Sequence, residues 1–383
     1  MLNPESMKKK VVIRILLSLL IIALLDLGTG FLLIPEGFNA FRTRHYYYHH
    51  GLLPNQEGMA AWGALFYPVF TNSMGMIDSA VYRVDKQKGT RRILILGDSH
   101  SEGVGVPYPL TFAGRLSRQL RPAGIEILNA SAVSYSQKIE YLKAEYLIEQ
   151  SGLEVDEMLV LIDFSDIQNE LVYEKFEPKQ KGKLGDGLYR WTQKLKRSST
   201  VYYLADAIRT EKQRERFFGN IEAFYQDARE APNRNVWEIY SGFFSDFDDR
   251  TLLSNPQFHG MGGWMEDESF RELALRGISM GQQYLLKLKN LCDAHQIRLT
   301  ISVHPWHLQI RNGVTEDEYV RQWKTFASDN GIPFLNLYPL FVNEEDPELV
   351  IRKYYIPNDN HWNEFGHERV AGFLNDYFQA PVN

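Results

Sequence analysis

Ser99 follows an apolar run that a glycine breaks, Arg92-Ile93-Leu94-Ile95-Leu96-Gly97-Asp98-Ser99-His100. A serine held just past a strand can act as a nucleophile once a neighbouring base takes its proton. Far downstream, Asn358-Asp359-Asn360-His361-Trp362-Asn363 sets a carboxylate and an imidazole two residues apart before a helical pattern. An imidazole oriented by a carboxylate removes a hydroxyl proton at neutral pH. In a turn leading into a helix, Asp359 can fold back onto Nδ1 of His361 and leave Nε2 facing Ser99, with Asn363 as the N-cap of the residues from Glu364. That is acyl-transfer chemistry. Each motif alone also reads as something plainer, a capped turn at Ser99 or a polar loop at His361.

The elements that must bring these residues together alternate along the chain. Ile93–Leu96, Ile125–Asn129, Met158–Ile162, Arg298–Val303 and Pro333–Leu337 read as short buried strands. Phe112–Leu120, Lys138–Gln150, Ile278–His295, Glu316–Asn330 and Glu364–Phe378 read as helices. This order predicts an α/β fold, a doubly wound and mainly parallel sheet with helices on both faces. Ligands bind such sheets beyond the carboxyl ends of the strands, where Ser99, Ser134, Asp163 and His361 are expected.

From about residue 171 to 272 the alternation stops. This interval carries Lys179-Gln180-Lys181-Gly182-Lys183, a helix-like Ser199–Phe218 and a loop-like Asn255–Trp264. It reads as a helical insertion, either a cap beside the site or a structural elaboration. Residues 35–89, aromatic, polar and short-segmented, read as an irregular N-terminal extension. Residues 90–383 then form the main domain. His45, His49 and His50 have no acidic partner at ligand spacing, so they read as loop residues and no metal is expected.

Lys8-Lys9-Lys10 precede a segment that is apolar from Val11 to Leu25 except for Arg14 and Ser18, and that resumes after Asp26 as far as Ile34. Ile15–Leu25 alone has the length of a signal-peptide core, with Gly28-Thr29-Gly30 as small residues where a peptidase could cut. Counted across Asp26, Ile15–Ile34 spans a hydrocarbon layer of about 30 Å, which favours an anchor that stays in the chain. The lysines then remain cytoplasmic, and the rest of the chain lies on the periplasmic or extracellular side of the inner, cytoplasmic membrane.

Composition narrows the partners. With 383 residues, 44% of them hydrophobic and 23% charged, the chain can bury a large core. A formal charge of -6 without a dense basic stripe gives nucleic acid no footprint. One cysteine, Cys292, excludes an intrachain disulfide and reads as a buried structural thiol. Gly103-Val104-Gly105 is followed by Pro107 and no third glycine, so the dinucleotide fingerprint fails and no cofactor is expected. Ser101 stands where a Gly-x-Ser-x-Gly elbow needs its last glycine.

Taken together, Gly97-Asp98-Ser99-His100 and Asp359-x-His361 resemble the first and last blocks of the SGNH, or GDSL-type, hydrolase superfamily, over about Thr90–Glu170 and Ile278–Phe378. The commoner last block is Asp-x-x-His, with Asn358 in the acidic place. Asp359-x-His361-Trp362 is instead similar to the version in membrane-associated enzymes that modify exported polysaccharides. The resemblance implies a flavodoxin-like fold, a nucleophile at Ser99, a base at His361 and a triad acid at Asp359. It further implies oxyanion donors at Ser99, at Ser134, which stands where the family has glycine, and at Ser165, which stands where it has asparagine.

Three residues are expected at the substrate: His100, Trp306, which could stack on a sugar ring or pack beneath the site, and Trp362. The function implied is an exported serine esterase that removes an O-acyl group, most plausibly O-acetyl, from a glycan. The same acyl-enzyme resolved by a sugar hydroxyl gives a polysaccharide O-acetyltransferase. A catalytically weak glycan-binding or assembly protein is the reading from a different class, and Ser165 supports it. Candidate partners are an acylated glycan or other ester, and a membrane acyltransferase or polysaccharide-assembly protein.

Overall fold

Ile93, Leu94, Ile95 and Leu96 are all buried, so the run before Ser99 is a strand covered on both faces. In the computed structural model it is one of eight strands in a mixed sheet. The structure describes residues 4–33, 41–62, 65–87, 89–179, 268–342, 346–357 and 359–380, with scattered positions between 185 and 205. Two compact units are present, Met1–Gly37 with Gln180–Arg234, and Phe38–Lys179 with Asn235–Asn383.

The smaller unit contains helix α1 (Pro4–Leu33). Apart from Arg14 and Ser18, its side chains from Val11 to Leu25 are apolar on every side, and they are exposed. Lys9–Leu32 is long and apolar enough to cross a membrane. At 1.5 Å per residue such a segment covers about 36 Å.

In the larger unit the strands are β1 (Arg42–His45), β2 (His49–Leu52), β3 (Glu57–Trp62), β4 (Leu65–Thr71), β5 (Ile77–Asp78), β6 (Arg91–Leu96), β7 (Ile125–Asn129), β8 (Glu157–Ile162), β9 (Arg298–Val303) and β10 (Phe334–Asn336). The described helices are α2 (Ser99–Glu102), α3 (Phe112–Leu120), α4 (Gln137–Glu145), α5 (Asp166–Tyr173), α6 (Glu268–Ala294), α7 (His307–Asn312), α8 (Glu318–Asp329), α9 (Tyr338–Phe341), α10 (Pro347–Tyr354) and α11 (Glu364–Gln379).

The sheet order is β10-β9-β8-β6-β7-β5-β4-β3. The first five are parallel to one another, and β5, β4 and β3 continue the sheet antiparallel. Numbered within the parallel part the order is 2-1-3-4-5, the doubly wound arrangement expected, and its chain reversal lies beside β6. Right-handed crossovers put successive helices on opposite faces once the winding direction changes. Accordingly α4, α5 and α6 pack together, and α3 packs with α11.

Local chemistry sets the ends. Thr111 caps α3 by accepting from Gly114 N–H, and α3 buries Phe112, Ala113, Leu116 and Leu120. Asn363 caps α11 by accepting from the Phe365 and Gly366 N–H groups, as the sequence predicts. Beneath β6, the buried Arg92 guanidinium is satisfied by Glu126 and by the carbonyls of Asp85, Lys86 and Glu154.

Residues 35–89, expected to be irregular, instead hold five strands. In β4, Tyr67, Val69 and Thr71 point inward while Phe66 and Pro68 are exposed. Both faces therefore carry apolar or aromatic side chains, which hides the period of two from a polar/apolar reading. Helix α6 begins at Glu268, ten residues before the expected start, and α4 ends at Glu145 in a π turn, Tyr146–Gln150. Most of the insertion expected at 171–272, including Asn255–Trp264 and the larger part of Ser199–Phe218, lies outside the described residues, as does Asn358. Cys292 is buried in α6, and burial pushes its thiol up to about 12.

Candidate active site

Gly97 ends the β6 run and the chain turns directly into α2. Asp98 caps that short helix through a 2.9 Å bond from the His100 N–H, which sets Ser99 at its first position. The turn closes at Gly103, in the left-handed region at φ 83°. A side chain there would come within 2.3 Å of Thr111 Cγ2. Ser99 thus stands at the carboxyl end of the central strand. His361 arrives from the loop between α10 and α11, the turn before a helix that the sequence predicts, and a bridge between Tyr355 and Trp362 pins that loop in place.

Ser99, His361 and Asp359 form one hydrogen-bonded chain. His361 Nε2 lies 2.7 Å from Ser99 Oγ. His361 Nδ1 bonds Asp359 Oδ1, which also accepts the His361 backbone N–H at 2.9 Å. The other oxygen, Oδ2, accepts the Trp62 indole N–H at 2.7 Å. Desolvation works against the Asp359 carboxylate, but His361 and these N–H groups outweigh it and hold it below the usual carboxylate range. An anion at Asp359 keeps the proton on Nδ1, so Nε2 can accept from the serine. Trp62, on β3, was missed by sequence reasoning because its segment did not read as a strand.

Ser134 follows β7 in the left-handed region, at φ 63°. Neighbours over-determine that strained backbone. Glu102 Oε2 accepts the Val133 N–H at 2.8 Å, His50 Nε2 bonds the Val133 carbonyl at 2.7 Å, and Tyr173 OH donates to the Ser134 carbonyl at 2.9 Å. Serine here keeps the backbone form for which glycine is the easy choice. Among the described residues, neither Ser99 nor Ser134 spends its backbone N–H on a hydrogen bond. Glu102 is buried and takes a bidentate ion pair from Arg42 at 2.6 and 2.8 Å.

Ser165 corrects an expectation. Its hydroxyl lies 2.5 Å from Asp163 Oδ1 and 3.2 Å from Asp98 Oδ2. A hydroxyl has one proton, and here it goes to a carboxylate, so Ser165 is no oxyanion donor.

His100 and Trp362, expected at the substrate, are also corrected, because they are 2% and 0% exposed, whereas Trp306, expected there too, is 8% exposed, the same as Ser99. The Trp306 indole donates to Asp163 Oδ2 at 2.7 Å. Nδ1 of His100 and Nε2 of His304 approach the same oxygen at 3.3 and 3.2 Å. Burial pushes the His100 imidazole down, but Asp163 and Asp98 prevail and raise it to about 9. Burial, then His100, push His304 down. Asp163, despite burial, is held far below the usual carboxylate range by His100, His304 and Ser165. His100, Asp163 and His304 bring three donor atoms within 4.8 Å of one another, a spacing a cation could use. Protein donors already fill both oxygens of Asp163, so the cluster is accounted for as an ion network.

His45, His49 and His50 belong to the β1–β2 hairpin and not to a loop. His45 stacks on Tyr48, and His49 Nδ1 lies 2.7 Å from His50 Nδ1. A cleft of about 410 Å³ opens between this hairpin and the 132–134 loop, lined by Arg42, Thr43, Arg44, His49, His50 and Tyr173 as well as Ser134.

No protein-family model and no curated protein matches this chain. Among solved structures it is similar to an acetyl xylan esterase from Geobacillus stearothermophilus, with 12% identity, 78% of this chain and 100% of that one covered, and a TM-score of 0.38. It is also similar to a GDSL-like lipase from Bacteroides thetaiotaomicron, with 9% identity, 78% and 93% covered, and a TM-score of 0.37. A psychrotrophic esterase from Pseudoalteromonas sp. aligns at 10% identity, 76% and 97% covered, and a TM-score of 0.36. These are distant likenesses, and none of them bears on what this chain does.

Proposed function

We propose that this chain is an exported, membrane-anchored serine esterase that removes O-acyl groups, most simply O-acetyl, from a glycan. The hydrogen-bonded chain from Asp359 through His361 to Ser99 carries the reading. Ser99 Oγ attacks the ester carbonyl as His361 Nε2 takes its proton. The resulting oxyanion is held by the backbone N–H groups of Ser99 and Ser134, with no amide or hydroxyl from Ser165. His361 gives its proton to the departing sugar oxygen, and an acyl group stays on Ser99. Water, deprotonated by the same imidazole, then attacks the acyl carbon, and the proton returns to Ser99 as the carboxylic acid leaves. The neighbouring cleft, with guanidinium, hydroxyl and imidazole groups beside the Tyr173 ring, suits a polyhydroxylated leaving group. Anchoring rests on α1, whose lysine cluster stays cytoplasmic by the positive-inside rule.

A fluorophosphonate probe and an aryl acetate test this directly. Wild type should label and turn over, and Ser99→Ala and His361→Ala should each lose about 10⁴-fold or more in kcat. An unlabelled wild type, or a Ser99→Ala protein as active as wild type, overturns the proposal. Acetyl transfer to an added saccharide with slow hydrolysis would make the same site a transferase, and glycan binding without turnover would make the chain a binding protein.

A further inference from the structure

The smaller unit shows α1 in contact with chain from the insertion. Counted from Lys10, Asp26 lies about 24 Å along the helix axis, and Gly30 about 30 Å, the far edge of a hydrocarbon layer. A carboxylate at that depth is costly without partners. Asp26 has several. Ser199 Oγ donates to its Oδ2 at 2.6 Å, the Val201 N–H donates to its Oδ1 at 2.8 Å, and Thr200 Oγ1 donates to its carbonyl at 3.2 Å. Thr29 and Thr200 hydroxyls meet at 2.9 Å. A Cβ on Gly30 would fall 1.8 Å from the Ser198 carbonyl oxygen, so only glycine admits this approach. Asp26 thereby serves as a helix cap supplied from another part of the chain, since residues 200–202 are helical.

The residues on either side of this junction are apolar and open. Val201 is 68% exposed, Trp191 58% and Leu188 61%, with Tyr202 and Leu204 also exposed. Leu188, Trp191 and Leu195 are helical, and their spacing of three and four puts them on one helix face. Over residues 180–205 the sequence has Lys181, Lys183, Arg190, Lys194, Lys196 and Arg197 against one acid, Asp186. A basic segment with tryptophan and leucine on one face is the pattern of a helix lying in a lipid interface.

We propose that Leu188, Trp191, Val201, Tyr202 and Leu204 form a second membrane contact, inserted at the interface of the bilayer that α1 crosses and drawn there by anionic phospholipid. The bilayer is the occupant because the segment that carries these side chains is hydrogen-bonded, through Ser199 Oγ and the Val201 N–H, to Asp26 in a membrane-length helix. The proposal rests on reading α1 as a retained anchor. Its partners also bear on that reading, since cleavage at Gly28–Gly30 would sever Asp26 from Ser199.

Full-length protein reconstituted into phosphatidylglycerol-containing vesicles gives the test. The only native cysteine is buried, so single cysteines introduced at Leu188, Trp191 and Val201 can be labelled with an environment-sensitive fluorophore. Leu17 in α1 is the lipid reference and exposed Glu368 the water reference. The three probes should shift to the blue and be quenched by brominated lipid as Leu17 is, and quenching at Leu188 and Trp191 should fall in phosphatidylcholine alone. Asp26→Leu should release the Val201 probe while Leu17 stays in lipid. Three probes behaving like Glu368 beside a lipid-quenched Leu17 overturn the second contact and leave the anchor standing. A Leu17 probe in water overturns the anchor reading and the proposal with it. Quenching indifferent to lipid charge removes the anionic-lipid component.

Discussion

The imidazoles of His100 and His361 lie face to face, with centroids 4.4 Å apart and planes 25° from parallel. Nε2 of His100 lies 2.8 Å from the carbonyl of Asn360, the residue between Asp359 and His361. Asp163 and Asp98 raise the His100 titration to about 9, which favours a proton on Nε2 for that carbonyl to accept, while Nδ1 lies 3.3 Å from Asp163 Oδ2. It therefore grips the backbone between acid and base from beneath, as a positioning residue. His100→Phe keeps an aromatic face and removes the donor, and should lower kcat about tenfold with little change in KM.

The same group sets a pH dependence of stability. A folded-state value raised above the unfolded 6.5 stabilises fully below 6.5, and the effect is lost as pH rises through about 9. The gap in denaturant midpoint between wild type and His100→Phe should therefore be widest below about pH 6.5, shrink as the pH rises towards about 9 and level off above it. A gap that stays constant across that range would remove the imidazolium from the account.

Asp359→Asn should cost about 10⁴-fold in kcat, because an amide stabilises the wrong tautomer of His361. Trp62→Phe removes only the bond to the far oxygen, and a charge-assisted hydrogen bond of about 1.5 kcal/mol corresponds to about tenfold. Equal losses in the two variants would mean that β3 and not the carboxylate orients the base.

Ser165→Ala should lower kcat by less than about tenfold, whereas losing an oxyanion donor costs about a hundredfold or more. A hundredfold loss would return Ser165 to the oxyanion hole. Ser134→Gly should retain activity, since the backbone donor survives, and should stabilise by up to about 1 kcal/mol by relieving the left-handed backbone.

Arg42→Ala leaves the buried Glu102 carboxylate without its cation, and breaking such a pair costs about 3–5 kcal/mol. Chemical denaturation should read that loss. Glu102→Gln on the Arg42→Ala background should recover part of it, because a neutral amide tolerates burial better.

Strands β7 and β9 end where the hydropathy pattern ends, because both are buried on each face and closed by turn-forming residues. Ser99, Asp359 and His361 were legible because short-range chemistry marks them, a glycine turn in one case and a two-residue spacing in the other. Trp62 was not, since what makes it matter is a partner nearly three hundred positions away. His100 and Trp362 were misassigned for a related reason. Aromatic and imidazole side chains at strand ends suit a ligand and a buried ion network equally, and only burial separates the two.

The bond between Trp62 and Asp359 joins residues 297 positions apart. Closing a loop that long costs about 2 kcal/mol more than closing one of about 30 residues, and such contacts form late in folding. The strand that steadies the acid leaves the ribosome long before the acid does. A nascent chain therefore holds Ser99 without His361, which lies 262 positions further on, and the proposed esterase activity should appear only once that imidazole has emerged.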